Sequence, residues 1–149
     1  QVIGVWGSDV QALMAAALAD LGARSALVVH SDDGLDEISV CAPTRVAELR
    51  DGLVTTYDLH PEQFFGSLAD PATMAGGDAA TNAEITRKIL AGEKGPRCNV
   101  VLINAAAALM AAGKVASLAE GLGLAESALD SGAAAAKLEA LVRFSRENG

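Results

Sequence analysis

The stretch Val2-Ile-Gly-Val-Trp-Gly-Ser-Asp-Val-Gln-Ala-Leu-Met-Ala-Ala-Ala-Leu-Ala-Asp-Leu-Gly-Ala-Arg-Ser-Ala-Leu-Val-Val-His30 decides the fold class. Val2 to Trp6 is a short apolar, β-rich run. Ser8 and Asp9 then offer helix-capping side chains ahead of Val10, Leu13, Met14, Leu18 and Leu21, whose spacing is helical. Gly22 supplies the stop, and Ala26 to His30 reads as a fully buried strand of the kind found in parallel sheets. The unit is βαβ. A right-handed crossover predicts adjacent, parallel strands, and ligands of open parallel sheets collect outside the carboxyl ends of the strands. The segment after His30 is therefore the first place to look for chemistry.

Outward from this unit, Thr44 to Leu49 and Leu53 to Leu59 alternate in β-like fashion around Asp51-Gly52, a hairpin turn pair. This hairpin is expected at the edge of the sheet or outside it. Pro61 to Pro71 has no clear period and is expected to be a connection with one helical turn. Gly76-Gly77 break the chain, and Asp78 caps a helix predicted to run to about Ala91 with Ile85, Ile89 and Leu90 on one side. Helices are also predicted over Arg97 to Gly113, Ser117 to Ser131 and Ala133 to Arg146, punctuated by Gly95-Pro96, Gly113 and Gly132. The alanine runs at Ala105 to Ala108 and Ala133 to Ala136 are read as tight helix contacts. The expected class is α/β: a mostly parallel sheet flanked by helices, followed by a helical C-terminal half.

Length and composition bound the rest. A chain of 149 residues is of one-domain size, and with 51% apolar but only 3% aromatic residues its interior should be built by closely approaching helices. Cys41 and Cys98 have no CxxC or Cys/His spacing around them, so neither a disulfide framework nor a zinc site is indicated, and both read as small core hydrophobes. A reducing cytoplasm fits. The net charge of −8 and pI near 4.6 oppose nucleic acid as a partner. A membrane partner is not expected either, because the longest apolar stretch, Val100 to Ala112, is interrupted by Asn104 and falls short of a span. The chain opens on a strand-like run without an initiator Met, which reads as a fragment.

Asp32, Asp33, Asp36 and Glu37 crowd four carboxylates around Gly34 directly after the second strand. Magnesium is held by one or two carboxylates together with waters and substrate phosphates, so such a turn at the mouth of a parallel sheet suits a phosphate-bearing substrate. Spacing alone leaves open the alternative of a solvated acidic turn with Gly34 in a left-handed conformation. His30, lacking a Ser or Cys nucleophile pattern nearby, reads as a hydrogen-bonded structural histidine, and His60 as a surface residue. Asn104, alone in an apolar helix, is expected to satisfy a buried polar group.

The string Ala26-Leu-Val-Val-His-Ser-Asp-Asp-Gly-Leu-Asp-Glu-Ile-Ser39 resembles the anthranilate phosphoribosyltransferase segment in which a strand runs into a DGxDE-type turn whose last two acids bind magnesium. Pro43-Thr-Arg-Val-Ala-Glu-Leu, Gly77-Asp-Ala-Ala-Thr-Asn-Ala, Gly92-Glu-Lys-Gly-Pro, Asn104-Ala-Ala-Ala-Ala-Leu and Asp130-Ser-Gly-Ala-Ala-Ala-Ala-Lys-Leu look like successive family landmarks in order. The resemblance implies a nucleoside phosphorylase/phosphoribosyltransferase-type catalytic domain. Residues 1–149 would be its C-terminal portion, without the helical N-terminal domain. It further implies transfer of phosphoribosyl from 5-phosphoribosyl-1-pyrophosphate to anthranilate in tryptophan biosynthesis. Mg2+ would be the cofactor, with Asp36 and Glu37 as its ligands.

Asp32 and Asp33 would occupy the looser half of the turn and tune the local field or contact water rather than bind metal directly. No catalytic proton-transfer residue is assigned, and the substrate-binding residues are not identified within the chain. Gly76-Gly77-Asp78 imitates the family's phosphate loop but comes after the acidic pair rather than before it, so it is read as a helix cap. That glycine-rich loop, a lysine-containing loop and the arginine for the anthranilate carboxylate are not among these residues, and the 149 residues alone are expected to be inactive. The family further suggests a cytoplasmic homodimer. Two competing readings are a pyrimidine-nucleoside phosphorylase and a non-catalytic nucleic-acid-binding paralogue of the same fold; the DGLDE turn opposes the first and the negative charge the second.

Overall fold

The structure, a computed structural model, describes residues 1–149. In chain order the elements are β1 (Val2–Gly4), α1 (Gln11–Asp20), β2 (Ser25–Ser31), β3 (Thr44–Arg50), β4 (Leu53–Leu59), α2 (Glu62–Phe65), a 3₁₀ turn at Pro71–Met74, α3 (Ala79–Leu90), α4 (Pro96–Ala111), α5 (Leu118–Asp130) and α6 (Ala133–Asn148). Strand order in the sheet is β1-β2-β3-β4. β1 and β2 are adjacent and parallel, with Val2 opposite Leu27 and Gly4 opposite Val29. The α/β class and the βαβ unit are thus as the sequence indicates.

The sheet is not mostly parallel within these residues. β3 runs antiparallel to β2, from Ser25 opposite Arg50 to Ser31 opposite Thr44, and β4 antiparallel to β3. The cause is the connection: residues 32–43 contain no crossover helix, so the chain re-enters the sheet at the end it left, and the next strand must run back. The hairpin therefore forms one end of the sheet, with β3 paired on both sides and β4 at the edge. The turn between them is as expected, with Asp51 at φ 49° and Gly52 at φ 83°, the left-handed pair of a type I′ hairpin.

β2 has helices on both faces, which is why its sequence is continuously apolar. Val28 packs with Ala15 of α1 and Ala47, whereas Leu27 and Val29 pack with Ile38, Val46, Ile103, Ala107 and Met110 on the α4 side. Each fully buried Val, Leu or Ile side chain there contributes about 1.5–3 kcal/mol. A further cluster, Ile89, Cys98, Leu102, Ala125 and Leu129, joins α3, α4 and α5. Ala106 lies so near α5 that a Cβ on Gly121 would stand 2.8 Å from its own, the close approach that the first alanine run suggests. α6 buries no residue fully, and of the second run Ala134 packs, half-buried, against the α3–α4–α5 cluster. No helix is long and apolar enough to cross a membrane.

α1 packs on the sheet through Val10, Met14 and Leu18 as expected, but departs from expectation in its start and in its other apolar residues. Neither Ser8 nor Asp9 caps it; the helix starts after Val10 without a side-chain cap, and it buries Gln11 and Ala15 while Leu13 and Leu21 are 70% and 84% exposed. Gln11 replaces a cap with a longer reach: its Nε2 donates to the Val28 carbonyl (3.1 Å) and the Arg45 carbonyl (2.7 Å), pinning the helix start to two strands. β1 ends at Gly4, short of the expected Trp6, although the Val5 N–H still donates to Val29 O at 3.0 Å.

Candidate functional site: the acidic turn

Because β1 and β2 are parallel, both carboxyl ends open onto the turn that follows Ser31. That turn closes on itself through main-chain bonds, Gly34 N–H to Ser31 O (2.9 Å) and Ser31 N–H to Leu35 O (3.0 Å), with Gly34 at φ 88°. A left-handed φ makes glycine the residue of choice there. The Asp32 N–H and the Ser31 hydroxyl both donate to Pro43 O, at 2.9 and 3.1 Å, and tie the turn's start to the start of β3.

The four acids then part company. Asp32 stands 3.4 Å from Arg45 in an exposed ion pair, of a kind worth little in water. Asp33 is the most engaged of the four, so its half of the turn is not the looser one as expected, although Asp33 itself stays exposed to water. Its Oδ2 accepts from the Ser39 hydroxyl at 2.6 Å and its Oδ1 from the Leu35 N–H at 3.2 Å, so one carboxylate spans the turn from before Asp36 to beyond Glu37. Partial burial works to raise the Asp33 pKa, but the hydrogen bonds from the Ser39 hydroxyl and from main-chain N–H groups outweigh it and hold the carboxyl below the ordinary range. Ser39 in turn accepts from the Cys41 N–H (2.9 Å), while its own N–H donates to the Thr44 hydroxyl (3.1 Å).

Asp36 and Glu37 are both exposed, and no hydrogen bond or ion pair within the chain occupies either carboxylate. Their main chain, by contrast, is closely seated. Asn104 of α4 accepts from the Ile38 N–H through Oδ1 (3.0 Å) and donates to Ile38 O through Nδ2 (2.8 Å), which grips both peptides following Glu37. On the other side the turn lies on the end of β1: a Cβ built on Gly4 would fall 1.6 Å from the Asp36 carbonyl oxygen.

As a donor set, two free carboxylates suit a hard divalent cation that takes its other ligands from water and phosphate. No group of three or more His, Cys, Asp or Glu side chains converges to make an all-protein cage. Magnesium, which keeps waters and binds through one or two carboxylates, fits; zinc does not.

The remaining candidates fall into structural roles. His30 Nδ1 lies 3.0 Å from the Val5 carbonyl, which can only accept, and so joins β2 to the chain beyond β1. The His60 side chain is exposed. Asp78 caps α3 by accepting from the Thr81 N–H (2.8 Å), and Gly77 exchanges bonds with the Asn82 side chain, so the Gly-Gly-Asp triplet is a helix start. Cys98 is buried and Cys41 half-buried, and burial pushes both thiols up. Gly4 and Ser39 do not stand out in a sequence reading aimed at acids. A glycine inside an apolar strand run is nevertheless a recognisable sign of close backbone approach.

Residues 1–135 match the family described as "Glycosyl transferase family, a/b domain". The chain belongs to this family. Among relatives of this glycosyl transferase domain, the anthranilate phosphoribosyltransferase of Desulfosudis oleivorans is 57% identical over 100% of this chain and 44% of its own length. That of Syntrophobacter fumaroxidans is 56% identical over 99% of this chain and 44% of its own. The chain thus spans less than half the length of these relatives. Among solved structures, anthranilate phosphoribosyltransferase from Thermus thermophilus superposes with a TM-score of 0.85 at 41% identity, over 96% of this chain and 42% of that one. The Saccharomyces cerevisiae enzyme, solved in complex with PRPP and Mg, gives a TM-score of 0.81 at 25% identity, over 93% and 40%. The resemblance read from the DGLDE turn is thus matched along the whole chain.

Proposed function

We propose that these residues form the metal-binding wall of an enzyme that transfers phosphoribosyl from 5-phosphoribosyl-1-pyrophosphate to anthranilate and releases pyrophosphate, a step of tryptophan biosynthesis. The observation that carries the reading is the pair Asp36–Glu37: carboxylates left free on a turn whose main chain is fixed at the carboxyl ends of two parallel strands. Solved relatives of the same fold carry the name of this activity, and one of them is complexed with PRPP and Mg.

Asp36 and Glu37 would hold Mg2+. When bound there it supplies positive charge to a pyrophosphate group as that group departs. The residues of this chain handle no proton in that step; they set where the charge stands. Asp33, Ser39 and Asn104 keep the turn in place, and Asp32 is diverted to Arg45. The contacts to anthranilate and to most of the phosphoribosyl group would come from the part of the relatives' length that this chain does not span. The isolated 149 residues should therefore release no pyrophosphate. The cytoplasmic location and dimeric state expected from the resemblance belong to the same proposal.

The test uses the full-length protein. Asp36→Asn with Glu37→Gln preserves shape and removes charge, and should lower turnover by about 100-fold, with partial recovery at high magnesium. Asp32→Asn, which breaks only an exposed ion pair, should stay within about threefold of the parent. Equal losses in the two variants, or a residual rate indifferent to magnesium, would sink the assignment.

A further inference from the structure

We infer that Asn104 is a positioning residue for the metal-binding pair, acting through the main chain of Ile38. The inference rests on the reading of Asp36 and Glu37 as magnesium ligands and deepens it. Asn104 stands in the middle of α4, 66 positions along the chain from Ile38, and its amide meets the turn in a two-point grip: Oδ1 with the Ile38 N–H at 3.0 Å, Nδ2 with the Ile38 carbonyl at 2.8 Å. The same Nδ2 also donates to the Val100 carbonyl one helical turn earlier, at 2.9 Å, which fixes the amide plane and leaves the side chain no freedom to follow a moving turn.

What is gripped matters more than the number of bonds. The Ile38 N–H belongs to the peptide that also contains the Glu37 carbonyl, and the Ile38 carbonyl belongs to the next one. With both held, the direction in which the Glu37 Cα–Cβ bond leaves the chain is set by α4, and Asp36 is set from the opposite side by contact with β1. Ile38 itself is only 1% exposed and packs in the cluster that contains Ile103, Ala107 and Met110, so the anchor is in the core while the two carboxylates stay in solvent. An asparagine is suited to this task because it presents one donor and one acceptor in a plane, matching the N–H and C=O of one residue; neither aspartate nor leucine can. Partners that orient ligands are typically worth about 10–100-fold in metal affinity.

The experiment reads metal affinity directly, apart from turnover. Mn2+ is titrated into the full-length protein in the presence of inorganic pyrophosphate, and free Mn2+ is measured by electron paramagnetic resonance. Asn104→Leu, which keeps volume and removes both hydrogen-bonding groups, should weaken Mn2+ binding by about tenfold or more. Leu102→Ala is the control: Leu102 is buried on the face of α4 turned to α3 and α5, so it should lower the melting temperature while changing Mn2+ affinity less than twofold.

Asn104→Asp keeps the acceptor for the Ile38 N–H but turns a carboxylate oxygen toward the Ile38 and Val100 carbonyls, and should also weaken Mn2+ binding by about tenfold or more. If Asn104→Leu does not fold, Asn104→Asp decides by the same comparison. Unchanged affinity in the Asn104 variants, or a loss matched by Leu102→Ala at equal destabilisation, overturns the positioning role. A different result identifies failure of the underlying reading: Asp36→Asn with Glu37→Gln binding Mn2+ as tightly as the parent would mean that the metal is not held there at all.

Discussion

Gly4→Ala isolates the contact between β1 and the acidic turn. Gly4 occupies an ordinary strand conformation, so alanine carries no backbone penalty there, and the whole effect must come from the added methyl. That methyl would lie 1.6 Å from the Asp36 carbonyl oxygen, 2.5 Å from its carbonyl carbon and 2.9 Å from its Cβ. To reach even the 3.0 Å floor of real Cβ contacts, strand and turn must separate by about 1.4 Å. None of these atoms is the free end of a side chain that could swing away. β1 cannot retreat easily, because Val5 beyond it is buried and its N–H is bonded to Val29, and the turn is held on its far side by Asn104.

Overpacking of this kind costs about 1–3 kcal/mol, and the part relieved by moving Asp36 displaces a carboxylate of the proposed metal-binding pair. A shift of about 1 Å at a reacting centre can cost on the order of 100-fold in rate. The expected outcome in the full-length protein is therefore a moderate loss of thermal stability, a circular dichroism spectrum like the parent's, and turnover reduced by about 100-fold. Gly7→Ala serves as the control, since a methyl there would meet only the Asp9 carboxylate, 2.7 Å away on an exposed side chain that can rotate. It should leave turnover within about twofold. Gly4→Ala with turnover within threefold of the parent would show that the turn does not depend on its seat on β1.

Two further outcomes follow from local bonds. The Asp33 carboxyl is held below its ordinary pKa of 3.8, so its contribution to stability is present above that value and is lost as pH falls through the lower, folded value. Asp33→Ala should therefore make melting temperature fall less steeply below about pH 4 than in the parent, and an unchanged slope would remove Asp33 from the acid response. Ser117 caps α5 by accepting from the Glu120 N–H at 3.3 Å, while Glu120 reaches back to the Ala116 N–H at 2.9 Å. Ser117→Ala should cost about 1 kcal/mol, seen as a melting temperature lower by roughly 2–4 °C, and no measurable change would rule out the cap.

The parts of this molecule legible in the sequence are those in which cause and effect lie within one turn or one strand. Asp51-Gly52 had to be a left-handed pair, Asp78 had a free N–H to cap, and the apolar run ending at His30 had to be covered on both faces. α1 shows the limit. Helical period places Val10, Met14 and Leu18 on the sheet, but Leu13 lies on the far side of the helix and Leu21 beyond its last residue, and both stay in solvent. The polarity of β3 was equally hidden, because it depends on residues 32–43 returning without a helix, and an acidic turn of unknown path says nothing about direction.

Within the site, the acids were legible and their division of labour was not. Asp33 and Asp36 are the same residue type three positions apart; what separates them is that Ser39 and Leu35 fold back onto one and nothing folds onto the other. That asymmetry bears on the rival picture of a merely solvated acidic turn. A solvated turn needs its charges in water and its polar main chain satisfied, and water satisfies both at no cost in sequence. Here the main chain around Asp36 and Glu37 is seated by a bare strand glycine, a carboxylate–hydroxyl bond of 2.6 Å and an amide carried in from a distant helix. Fixing the backbone of a residue costs about 1–2 kcal/mol of conformational entropy, a cost that yields nothing if the side chains borne by that backbone have no set direction to keep. It yields much if two like charges must be held near one another until a cation and its phosphate arrive, since a ligand frame ordered in advance leaves less to order on binding.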